Sequence, residues 1–174
     1  MSRRARRTAI KVALVLLAAT GGFAFLQAPT RHLEAAAVSR ALEWVTGGRA
    51  STITRGPDVI VTVPPPADNF SAFVSPACSV LASVLAIGCL AALAPNRSRP
   101  RELAALAAAV VTVSAGNIVR MTAALWVGTI AGRSALIMFH DWVGAVFTFA
   151  YTLFGYILML YRVLPRRSLR EARA

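Results

Sequence analysis

Leu103 to Ile130 reads LAALAAAVVTVSAGNIVRMTAALWVGTI. Asn117 and Arg120 are the only strongly polar groups in it. A bilayer core of about 30 Å takes about 20 mostly apolar residues of helix, so this stretch is long enough to span it. Three further runs have the same character. Val12 to Ala28 ends at Pro29, and Cys78 to Ala94 ends at Pro95. The last extends from about Leu136 to Tyr161, with His140 and Asp141 near its start. The predicted fold is an all-α membrane protein of about four transmembrane helices.

Composition agrees. Of 174 residues, 57% are hydrophobic and 15% charged, whereas soluble domains carry about 25% charged residues. Mean hydropathy is +0.62. These values exclude disorder and argue against an ordinary water-soluble enzyme. Two cysteines are too few for a disulfide-stapled scaffold, and no charged heptad marks a coiled coil. The net charge of +12 does not point to nucleic acid, because the basic residues punctuate apolar runs instead of covering a polar scaffold. The expected surroundings are a lipid bilayer.

The charges orient the chain. Arg3, Arg4, Arg6, Arg7 and Lys11 precede the first run, and Arg97, Arg99 and Arg101 separate the second from the third. Five arginines from Arg162 to Arg173 follow the fourth. Only Glu102 and Glu171 oppose them on that side, whereas the other side balances five basic against five acidic residues. Short cationic loops stay in the cytoplasm, so both termini are expected there. The first run also has the outline of a cleaved signal peptide. Leu26 is large for the −3 position of a cut after Ala28, and Pro29 would follow it, which favours an uncleaved anchor.

Four parts result: 1–28 as tail and first span, 29–75 outside, 76–164 as a three-helix core, and 165–174 as a basic cytoplasmic tail. In the external part, Thr30 is expected to cap a helix whose apolar face is Leu33, Ala37, Val38, Ala41, Leu42 and Val45, ended by Gly47-Gly48. Ser51 to Arg55 and Val59 to Val63 flank the turn signal Gly56-Pro57-Asp58 and predict a β-hairpin. Pro64-Pro65-Pro66 is a stiff spacer.

Ionisable groups within spans are costly and face the bundle interior. Cys78 stands at the outer start of the second span, after Pro76 and near a helix N-terminus that favours a thiolate. Arg120 lies about 26 Å up the third span, near the same face. His140 is about a turn inside that face on the fourth. Asn117 shares the helix face of Arg120, and Gly144 leaves room beside His140. Cys89, about 16 Å deeper than Cys78, is too far for a disulfide and reads as packing. Asp141 pairs with Arg133 or Arg120, or is solvated. His32 and Asp68 have no evident partner.

Thiolate, imidazole and guanidinium together suit cysteine acyl transfer: Cys78 attacks a carbonyl, His140 moves the proton, and Arg120 holds a carboxylate or oxyanion. One His and one Cys do not make a metal site, there is no glycine-rich phosphate loop, and no cofactor is expected. In their order on three successive spans, Ala77-Cys78-Ser79, Asn117-Ile118-Val119-Arg120, and His140 with Gly144 resemble the exosortase/archaeosortase family. The resemblance covers roughly Phe70 to Tyr161. It implies a membrane cysteine peptidase or transpeptidase with Cys78, Arg120 and His140 as its trio. The implied partner is a membrane-anchored protein ending in a short motif, a hydrophobic span and a basic tail. Two departures stand out: Val80 occupies the place where the family often has glycine, and the chain is shorter than many members. The rival readings are a non-catalytic membrane scaffold subunit and a thiol-redox membrane protein.

Overall fold

The computed structural model describes residues 3–47, 51–55, 58–63, 70–93 and 99–163. The proline triplet, Gly56-Pro57, Asp68, Arg97 and the basic tail lie outside them.

Helix α1 runs unbroken over Arg3–Thr46, 44 residues and about 66 Å. The expected stop at Pro29 and cap at Thr30 are corrected here, since both residues lie inside the helix. Proline costs a helix the bond that its missing N–H would have donated. The turns on either side more than offset that loss. From Val12 to Leu26 every side chain but Thr20 is apolar, and Leu14, Leu16, Leu17 and Phe25 are exposed, as suits a helix in lipid. Beyond Pro29 the helix gains a buried face.

That face differs from the expected one. Arg31, Glu34, Ala35, Val38, Ser39 and Leu42 are buried, whereas Leu33 is 73% exposed. The spacing is helical, i, i+3, i+4, i+7, but the stripe is rotated to include two charged residues. Arg31 donates through Nη1 to the Val74 carbonyl at 3.2 Å, and Glu34 accepts from the Val80 N–H at 2.7 Å. Backbone groups of a turn thus meet the polar side chains, and Ala35, Val38 and Leu42 pack beside them on Val74, Cys78, Met121 and Leu125.

Strands β1 (Ser51–Arg55), β2 (Asp58–Val63) and β3 (Phe70–Phe73) follow in an antiparallel sheet of order β1-β2-β3. The third strand lies outside the sequence expectation. A short 3₁₀ turn, Pro76–Cys78, then leads into α2, Leu81–Leu93. The expected span over Cys78 to Ala94 is therefore a helix of 13 residues, with Cys78 ahead of it and not inside. Ser79 Oγ accepts from the Leu81 N–H at 3.2 Å, which satisfies one of the free amides at the start of α2.

Helix α3 (Arg99–Met138) is broken at Gly132, whose φ of 82° and ψ of 178° are not helical. A π-helical turn, Phe139–Val143, leads into α4, Gly144–Val163. The chain folds back across this break. A Cβ on Gly155 would meet Val113, one on Gly116 would meet Tyr151, and one on Gly144 would meet Arg120. Rising numbers on one helix face falling numbers on the other, so α3 and α4 pack antiparallel. Two stretches, residues 5–46 and 100–161, are long and apolar enough to cross a membrane. The Gly132 break divides the second into two arms.

Candidate active site

The 3₁₀ turn holds Cys78 under α1, with 7% of its surface exposed. Its sulfur has two polar neighbours, Ser75 Oγ at 3.3 Å and His140 Nε2 at 3.7 Å. Ser75 belongs to the same turn, whereas His140 arrives from the π-helical turn 62 residues later. Such turns widen the helix by one residue and recur at functional sites. The expected meeting of Cys78 and His140 is thus a contact in the fold.

Arg120 is also there, but its guanidinium faces the backbone of Cys78. Nη2 donates to the Cys78 carbonyl at 3.1 Å and to Asn117 Oδ1 at 3.1 Å. Asn117, fully buried, donates from Nδ2 to the same carbonyl at 3.0 Å. Two donors thus turn the Cys78 carbonyl toward α3. Within the turn, the Cys78 N–H donates to the Ser75 carbonyl and the Ser79 N–H to the Pro76 carbonyl. The room at Gly144 is filled by Arg120, because a Cβ there would lie 3.3 Å from Nη1.

An open cleft of about 550 Å³ adjoins this cluster. Arg120, His140 and Asp141 line its polar end, and Ser83, Thr148 and Thr152 line its walls. Ser83 Oγ and Thr152 Oγ1 are 3.1 Å apart and bridge α2 to α4. Cys89 lies elsewhere, in an apolar groove with Val15, Ala18, Leu85 and Leu106, and neither cysteine is in a disulfide. Among the described residues, no group of three or more His, Cys, Asp or Glu side chains is placed to hold a metal ion.

Sequence reasoning missed Arg31, Glu34, Ser75 and Tyr151. Tyr151 donates to Asn117 Oδ1 at 3.2 Å. Arg31 and Glu34 carried one available signal: they share a helical face with Ala35, Val38 and Leu42.

Fold and site together define a helical membrane protein whose buried polar groups gather around one cysteine. The chain belongs to the transmembrane exosortase family: the family model described as Transmembrane exosortase (Exosortase_EpsH) matches residues 2–160. Among curated proteins and among solved structures, nothing matches the chain.

Proposed function

We propose that this protein is a membrane-embedded cysteine peptidase or transpeptidase that cleaves and sorts proteins carrying a C-terminal hydrophobic span and basic tail. The observation that carries the reading is the 3.7 Å approach of Cys78 Sγ to His140 Nε2 beside an open cleft. A thiol next to an imidazole can pass its proton to the ring, and the thiolate is the nucleophile.

In this reading the scissile peptide lies in the cleft. Cys78 Sγ bonds to the carbonyl carbon, and the carbonyl electrons move onto oxygen. As they return, the C–N bond breaks and the amine leaves with the proton held by His140. The resulting thioester is resolved by an amine, giving transpeptidation, or by water, giving hydrolysis. The amides of Cys78 and Ser79 already serve the turn. Arg120, anchored through Nη2, therefore supplies the donor for the developing oxyanion from Nη1. The cationic loops support a four-span topology with the site at the external face, and the resemblance to the exosortase family implies a prokaryotic plasma membrane.

The test is substrate size on an immunoblot, at matched amounts of inserted enzyme. Cys78→Ser and His140→Ala are expected to leave substrate uncleaved, and Cys89→Ser to process it normally. Arg120→Lys is expected to insert but fail, because an ammonium lacks the planar fork that holds one nitrogen on the Cys78 carbonyl while presenting another. Normal processing by Cys78→Ser would return the protein to the scaffold class.

A further inference from the structure

Glu34 is 7% exposed and sits on the buried face of α1. One of its oxygens does two things. Oε1 accepts from the Val80 N–H at 2.7 Å, two residues after Cys78, and from Asn117 Nδ2 at 2.8 Å. The other oxygen, Oε2, is buried with no hydrogen-bond partner among the described residues.

The bond to Asn117 fixes which way that amide points. A carboxylate only accepts, so it must face the NH₂. The Cys78 carbonyl lies on the same side and also accepts from Nδ2. On the opposite side, Oδ1 accepts from Arg120 Nη2 and from the Tyr151 hydroxyl. Only one orientation of the amide satisfies all four partners. If it flipped, NH₂ would face the guanidinium and carbonyl would face carboxylate. Glu34 therefore acts on Arg120 through Asn117, and on the nucleophile turn through Val80. Val80, which stands where the family often has glycine, also packs its buried side chain, 5% exposed, in the core with Ile87 and Val113.

We propose that Glu34 is a positioning residue of the Cys78 site: it locks the Asn117 amide and the backbone after the nucleophile, so that Arg120 is held on the Cys78 carbonyl. The proposal rests on the peptidase reading. Glu34 works by reach and by one acceptor atom, since its bonds to Val80 and to Asn117 both end on Oε1. Glutamine has the same reach and keeps an acceptor at Oε1. Aspartate keeps the charge but is one methylene shorter.

The full-length enzyme in membranes is assayed for substrate processing at matched inserted amounts. Glu34→Gln is expected to stay within about threefold of the parent, whereas Glu34→Asp and Glu34→Ala lose at least about tenfold, the scale of losing two buried hydrogen bonds. The loss falls on turnover more than on half-saturating substrate, because Glu34 does not line the cleft. An active Asp variant, an inactive Gln variant, or an Ala variant within about twofold of the parent overturns the proposal. If Glu34→Ala fails to accumulate, the Gln and Asp pair decides. Cys78→Ser in the same assay separates the two readings. Processing by that variant overturns both, whereas an inert Cys78→Ser beside a fully active Glu34→Asp overturns only the positioning role.

Discussion

Gly144 has no side chain where Arg120 needs space. A Cβ at this position would sit 3.3 Å from Nη1 and 3.8 Å from Cδ. Alanine forces a shift of a few tenths of an ångström, and a branched side chain forces the guanidinium off the Cys78 carbonyl. Gly144→Ala is therefore expected to slow processing several-fold, about 1 kcal/mol of misplacement. Gly144→Val is expected to stop it. Both should insert at parental levels, because the space involved is local. Western blots of substrate and enzyme from the same membranes measure both quantities, and parental activity in Gly144→Val would place the working Arg120 elsewhere. At this scale the sequence was informative. Arg120 and His140 stand out as costly groups in apolar runs, and Cys78 as a thiol expected at the same depth. Glu34 did not stand out, since an acidic residue outside a span has no cost until the fold buries it.

Helices α3 and α4 come together at two glycines. A Cβ on Gly116 would lie 2.7 Å from Tyr151 Cβ, and one on Gly155 would lie 2.5 Å from Val113 Cγ2. Apolar helices in lipid associate by close packing, so small residues decide where they touch. Gly155→Ala is expected to cost about 1–3 kcal/mol by overpacking. Val113→Ala removes the offending methyl and should restore part of it. The readout is the fraction of monodisperse protein after detergent extraction at rising temperature; no rescue would mean that the helices separate elsewhere. The α2–α4 seam gives a functional counterpart. Ser83 and Thr152 hydroxyls lie 3.1 Å apart at the cleft. In a Ser83→Cys/Thr152→Cys variant, oxidation is expected to keep α2 and α4 from parting to admit substrate and so to slow processing, and reduction to restore it. Undiminished processing by the quantitatively cross-linked form would show that substrate enters without parting this seam.

Across the whole molecule, the cationic loops predict topology. Reporter fusions after Arg101 and after Arg173 are expected to score cytoplasmic, and fusions near Ala67 external. A cytoplasmic score at Ala67 would put Cys78 in the wrong compartment for sorting surface proteins. The upper half of α1 ties the site to this topology. Leu42, fully buried, packs in the cluster that contains Cys78. Leu42→Ala is expected to lower stability by about 2–5 kcal/mol, read as a fall in thermal midpoint, and substrate processing should fall with it.

Local chemistry alone determined that the chain is a membrane protein with helical apolar runs, and that one cysteine, one arginine and one histidine lie at similar depth. Those conclusions depend on composition and on residue spacing along single helices, and both are written in sequence order. The tertiary structure decided which face of α1 is buried, where α3 breaks, and how Asn117 is turned. Apolar side chains occur on several faces of α1, so periodicity could not choose among them. The choice was made by the Val74 carbonyl and the Val80 amide, which needed partners and found Arg31 and Glu34. The Glu34 bonds join residues 46 and 83 positions apart, a separation that no local pattern spans.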